Sequence, residues 1–324
     1  RALAVEHMGQ NYTPDGRAVL GGSSGLFTTP AGHGRKEIAD AVHKQLLELD
    51  FSPSFQRSHP KAFEAANRVA ALMPEGVDKI FFCNSGSEAV GLAARIADVN
   101  AKLQTDPGAR HAGAAIKRVV IKGSFHGRTD RPALYSDSSR KSYQQHLASY
   151  RGEDSVITVA PYDEAGLRKV FEDAERNQWF IEAVFLEPVM GEGDPGRSVP
   201  PAFYAVAREL TRAHGSLLLL DSIQAGLRAH GVLSVVDYPG FEGLDPPDME
   251  TYSKALNAAQ YPLSVLAVTE HAAQLYRKGI YGNTMTSNPR ALDVACATLA
   301  QLTPQVRANI AERGAEAVRK LEQL

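Results

Sequence analysis

The chain has 324 residues, 44% hydrophobic and 22% charged, with a formal net charge of −2. That is enough chain for a substantial core and more than one lobe, and the near-neutral balance, with no basic run and no interleaved aromatics, excludes the usual footprint of a nucleic-acid binder. Only two cysteines occur, Cys83 and Cys296, far apart and outside any CxxC pair, and no apolar run reaches membrane-spanning length, so a disulfide scaffold, a cysteine-zinc site and a membrane span are excluded and a reducing, cytoplasmic setting is expected.

In chain order, "KIFFCNSGSEAVGLAARIADV" predicts a strand over 80–83 and a helix from about Glu88. "RVVIKGSFHG" predicts a strand that stops at Gly123, and "IEAVFLEPV" one that ends at Glu187-Pro188. "PAFYAVARELTRAHG" has the spacing of an amphipathic helix with a glycine stop, and "SLLLLD" after it is a wholly apolar strand. "METYS" and "LSVLAVT" read as two more strands, and residues 301–324 as a charged helix. Apolar strands alternating with helices predict an α/β fold, a mostly parallel central sheet covered on both faces.

Four stretches carry chemistry. In "NSGSEA", Ser85 and Glu88 form a capping-box pattern, and Gly86 and Ser87 leave free N–H groups at a helix start. That is an anion site suited to phosphate, or simply a helix cap. Asp221 closes the "LLLLD" strand at the sheet edge where open α/β folds bind ligands; the bland alternative is a solvated strand-end acid. Phe125 and His126 follow the "VVIK" strand, where an aromatic either stacks on a planar ring or packs in the core. Lys254 stands alone among small, uncharged residues after "METYS". Burial would favour its neutral amine, a nucleophile for an aldehyde, unless its head snorkels to water. Together the four suit a flat, aldehyde-bearing ring with a phosphate and a basic ring nitrogen, which is pyridoxal 5′-phosphate.

"FFCNSGSEAV", "SFHGRT", "FLEPVMGEG", "LLLLDSIQAG", "YSKALN" and "NTMTSNPRALD" follow the order and approximate spacing of class III pyridoxal-phosphate aminotransferases of fold type I, a resemblance covering most of residues 20–300. "SGLFTTPAGHGRKEIADAV" resembles the ω-amino acid branch most, while "GEGD" and "FHGR" are similar to ornithine, 4-aminobutyrate and lysine ε-aminotransferases. The resemblance implies that Lys254 is the Schiff-base lysine and proton carrier and that Asp221 partners the ring nitrogen. It places Gln224 near the ring 3-hydroxyl and Gly86 and Ser87 in the phosphate cup, with Ser85, Phe125, His126 and Glu187 also around the cofactor. Thr284 would reach a neighbouring subunit's phosphate, which implies a homodimer with shared sites. Phe27 would line the substrate pocket, and Glu192 matches an acid that pairs with a switching arginine in glutamate-using members. Two departures stand out: the family usually has Asp-Glu where this chain has Asp221-Ser222, and Gly-Arg-Thr-Gly where it has Arg228-Ala229-His230-Gly231.

The expected activity is transfer of an amino group from an amine or ω-amino acid to an oxo acid or aldehyde. Alternatives are an aminomutase, racemase or decarboxylase on the same fold and, less favoured, a nicotinamide oxidoreductase. "GEGDPG" satisfies GxGxxG, but its helix is expected only near Pro200-Pro201, too late for a dinucleotide loop. The expected organisation is an N-terminal segment over 1–58, a large cofactor-binding α/β domain over 59–300, and the start of a small C-terminal domain over 301–324.

Overall fold

A computed structural model of the protein describes residues 5–7, 9–55 and 57–324. Three short strands, β1 (Val5–His7), β2 (Gln10–Tyr12) and β3 (Ala18–Leu20), pair antiparallel in a small sheet of their own. A single turn follows, α1 (Ser24–Phe27), in which every residue has positive φ. Two helices, α2 (Lys36–Glu48) and α3 (Pro60–Ala70), lead to the main sheet.

The main sheet begins with β4 (Lys79–Cys83), α4 (Gly86–Thr105) and β5 (Ala115–Ile121), so the predicted helix starts two residues before Glu88. Helices α5 (Asp130–Tyr135) and α6 (Arg140–His146) precede β6 (Val156–Val159), α7 (Glu164–Asn177) and β7 (Trp179–Leu186). Helix α8 (Pro201–His214) starts at the expected Pro200-Pro201 and stops at Gly215, whose φ of 82° terminates it. Then come β8 (Leu217–Asp221), β9 (Met249–Tyr252), β10 (Ser264–Val268), α9 (Glu270–Leu275), α10 (Pro289–Gln301) and α11 (Pro304–Leu321).

The seven strands lie in the order β4-β10-β9-β8-β7-β5-β6. The sheet is mostly parallel, as the apolar runs predict, but β10 runs antiparallel to both β4 and β9. That reversal is not legible in "LSVLAVT": a strand buried on both faces is uniformly apolar whichever way it points. The alternation of side chains explains the layers. Leu217 and Leu219 pack with the Ala-rich face of α4, while Leu218 and Leu220 pack with α7 and α8 on the opposite face. The small residues of α4, among them Ala89, Ala93 and Ala97, are fully buried and let that helix approach the sheet closely. A third cluster joins α3 and α10 to β9 and β10. These layers bring the start of α4 and the ends of β8 and β9 to one edge of the sheet, the usual ligand position in open α/β folds.

Candidate active site

Asp221 ends β8 nearly buried, and its carboxylate is met by three donors. His126 Nδ1 donates to Oδ2 at 2.9 Å, while Thr251 Oγ1 at 3.0 Å and Ile223 N at 3.2 Å donate to Oδ1. Thr251 sits directly opposite Asp221 in the parallel β8–β9 register, a neighbour that sequence cannot reveal. Glu187, just past β7, is also buried. It accepts from Phe125 N at 2.8 Å and Gly191 N at 3.2 Å, yet burial pushes its carboxyl up to about 7, with Asp221 adding and His126 opposing. It thereby fixes the loop after β5 against the loop after β7.

Ser85 caps α4, its Oγ accepting from Glu88 N at 3.2 Å; Glu88 returns a carboxylate oxygen to Asn84 N at 2.6 Å and holds Asn283 Nδ2 at 3.0 Å. The N–H groups of Gly86 and Ser87, first in the helix, are left free for an anion. Ser87 Oγ accepts from Arg128 N at 3.2 Å, and Gly127, at φ 116°, is required there because a Cβ would come within 2.4 Å of that oxygen.

Lys254 opens a short 3-10 turn, Lys254–Asn257, right after β9. The backbone around it is tied to the strands: Ser253 Oγ donates to Leu263 O and Ser264 Oγ to Tyr252 O, both at 2.7 Å, and Asn257 Nδ2 donates to Tyr261 O at 2.6 Å. Its ammonium is held below the usual lysine range, chiefly by burial and also by the Arg228 charge, against the opposing pull of Glu192, Asp221 and Glu187. Its Nζ lies 5.2 Å from the centre of the Phe27 ring.

Arg228, where the resemblance has glycine, lies 4.2 Å from the same ring, its Nε donating to Gln224 O at 2.8 Å. Glu192 is exposed and pairs with Arg128 at 3.6 Å, and the Arg128 guanidinium lies 4.9 Å from the Phe125 ring. The Asp221-Ser222 departure has a counterpart on the next strand. Ser222 Oγ donates to Glu250, a wholly buried acid of β9 that also accepts from Ser234 Oγ at 2.7 Å. Burial raises its carboxyl to about 7 against those hydrogen bonds. A carboxylate is thus present beside position 222 although serine occupies it.

A cavity of about 200 Å³ is lined by Ser85, Gly86, Ser87, Phe125, His126, Gly127, Asp221, Ile223, Gln224, Ser253 and Lys254. Sequence reasoning named eight of these; it missed Gly127, Ile223 and Ser253. Glu187 lies behind the cavity through Phe125 N, and Phe27 and Glu192 lie beside Lys254. Thr284 is exposed and does not line the cavity. The sequence signature described as aminotransferase class-III matches residues 5–324. The chain belongs to the class III aminotransferases. Among curated relatives, an omega-aminotransferase of Caulobacter vibrioides is 29% identical over 309 residues, covering 89% of this chain and 67% of that protein. An acetylornithine aminotransferase of Mycolicibacterium smegmatis is 31% identical over 293 residues, covering 90% and 67%. A solved Bacillus anthracis aminotransferase superposes with a TM-score of 0.82 at 25% identity, over 99% of this chain and 73% of that one. The chain therefore spans about two thirds of the length of such relatives.

Class III aminotransferases are pyridoxal-phosphate enzymes of fold type I, and the residues here fit that group. Two cavity-lining side chains keep a buried polar atom without a partner, His126 Nε2 and Gln224 Oε1, the signature of a site built for something polar. Gly191 lets Gln224 lie there, since a Cβ would fall 1.4 Å from Oε1. The donor set matches the ligand's ends: free helix N–H groups for a phosphate, an acid for a ring nitrogen, an amine for an aldehyde.

Proposed function

We propose that this chain is an aminotransferase that moves an amino group from an amine or ω-amino acid to an oxo acid or aldehyde, with Lys254 as the residue that binds the cofactor covalently and carries the proton. The observation that supports this best is that Lys254 and Asp221, 33 positions apart in sequence, line one cavity with the start of α4. When bound, pyridoxal phosphate supplies an electron sink for the carbon that loses its proton.

The chain's own residues do the rest. Asp221, held by three donors, is placed to pair with a ring nitrogen. Gly86 and Ser87 offer N–H groups to the phosphate, with Ser85 at the cap. His126 orients Asp221 and presents Nε2 to the cavity. Phe125 offers a face to the ring, and Gln224 Oε1 an acceptor to its hydroxyl. Lys254, biased toward its neutral form, takes a proton from the substrate carbon and returns it as general base and acid. Phe27 and Glu192 belong to the substrate side, and exposed Thr284 is available to a second copy, which supports a homodimer with shared sites. The large cofactor-binding domain spans 59–300, with helix α11 after it. Two buried, unbridged cysteines, Cys83 and Cys296, support a cytoplasmic setting.

The chain reconstituted with pyridoxal phosphate should be yellow. Borohydride should bleach it and leave the reduced cofactor on the peptide containing Lys254; label on another lysine, or none, overturns the assignment. Lys254→Ala should lower turnover by at least ~10²-fold to 10⁴-fold. The single-substrate alternatives are separated by stoichiometry: an aminotransferase consumes donor and acceptor one for one, whereas a mutase, racemase or decarboxylase needs no acceptor.

A further inference from the structure

Arg228 is a half-buried guanidinium with no carboxylate in ion-pairing range among the described residues. Among the described residues, the two buried arginines elsewhere are both paired, Arg118 with Glu182 at 2.7 Å and Arg208 with Asp248 at 2.7 Å. Burial of an unpaired cation carries a penalty that an incoming anion relieves, and burial does lower the affinity of this guanidinium for its proton. The side chain is also fixed. Its Nε donates to Gln224 O, and the guanidinium carbon sits 4.2 Å from the centre of Phe27, leaving the terminal nitrogens as a fork for a carboxylate. Phe27 itself is held in a left-handed turn, φ 69°, a costly backbone for an aromatic residue. Lys254 Nζ is 5.2 Å from the centre of that same ring, so the guanidinium and the reactive amine gather around one side chain.

We propose that Arg228 is the substrate's carboxylate anchor: a short ω-amino acid or oxo acid sets its carboxylate on this guanidinium while its other end meets Lys254. The inference rests on the aminotransferase reading above and names the chemistry its substrate must carry. The anion it takes is the substrate's and not the cofactor's phosphate. Ser85, Gly86 and Ser87 line the cavity that would receive a phosphate, whereas Arg228 does not. The glycine expected at this position by resemblance could not serve, so the anchor is a feature of this chain.

Propionate, which has a carboxylate and no amine, isolates the binding step. Calorimetric titration of the cofactor-loaded chain with propionate should show binding that weakens ~10-fold to 100-fold in Arg228→Gln and is partly restored in Arg228→Lys. Bleaching of the yellow chromophore should then lose more rate with 3-aminopropionate than with propylamine in Arg228→Gln. Unchanged propionate affinity in Arg228→Gln, absence of propionate binding to the unmodified chain, or propionate binding seen only before cofactor is added each overturn the anchor. If neither amine bleaches the unmodified chain, the aminotransferase reading fails, and the propionate titration still decides the role of Arg228.

Discussion

Asp221 accepts three hydrogen bonds from the protein, and a carboxylate has about four lone-pair positions, so one remains for the cavity. Thr251 supplies one of the three and does not itself line the cavity. Thr251→Val, nearly the same shape, should loosen pyridoxal-phosphate binding by ~3-fold to 10-fold, read from an absorbance titration; equal affinity would show that Thr251 does not position Asp221. Gly191→Ala should be worse, since its methyl occupies the place of Gln224 Oε1 and forces that side chain out of the site. Lys254 and Asp221 were legible in sequence because each is a charge set in apolar or small surroundings. Thr251, Arg228 and the Ser222–Glu250 bond were not. Their roles come from which residue of one strand or loop stands opposite which residue of another, and parallel register leaves no local trace.

At the scale of elements, the apolar runs foretold six of the seven strands of the main sheet, β4, β5, β7, β8, β9 and β10, and the glycine stop of α8. They missed β6, whose burial is only partial, and the small three-stranded sheet, whose strands are three residues each. The clamp between α8 and the sheet was also hidden. Arg208 grips Asp248 with two hydrogen bonds, at 2.7 and 3.0 Å, and Asp248 takes a third from Leu218 N at 2.8 Å. Asp248→Ala would strand a buried guanidinium and should cost ~3–5 kcal/mol in urea denaturation; a loss below 1 kcal/mol would mean the pair relaxes into water. Ser85→Ala removes the cap of α4 and should cost ~1 kcal/mol, with weaker phosphate affinity because the first turn loses its anchor.

For the molecule as a whole, two buried acids set a pH dependence. Glu187 and Glu250 both have carboxyls raised to about 7 by burial. The folded chain then holds protons that the unfolded chain, with ordinary carboxyls near 4.5, has released, so this contribution to stability falls as pH rises from about 4.5 to about 7 and stays lost above that. Glu250→Gln should flatten its share of that slope, on the order of 1–3 kcal/mol, in thermal melts of cofactor-free chain between pH 5 and 8. A slope unchanged by the substitution would show Glu250 ionised throughout.

The hairpin that carries Lys254 has one more consequence. With Ser253, Ser264 and Asn257 lashing the main chain to its neighbours, the peptide unit at 254 cannot swing, and all travel of the amine comes from its four methylenes. Removing the outer three methylenes and the amine in Lys254→Ala should leave a rigid vacancy that the walls do not fill. Ethylamine dissolved in the buffer at millimolar strength should then slip into that vacancy and restore part of the lost proton shuttling, faster than a branched amine too wide to enter.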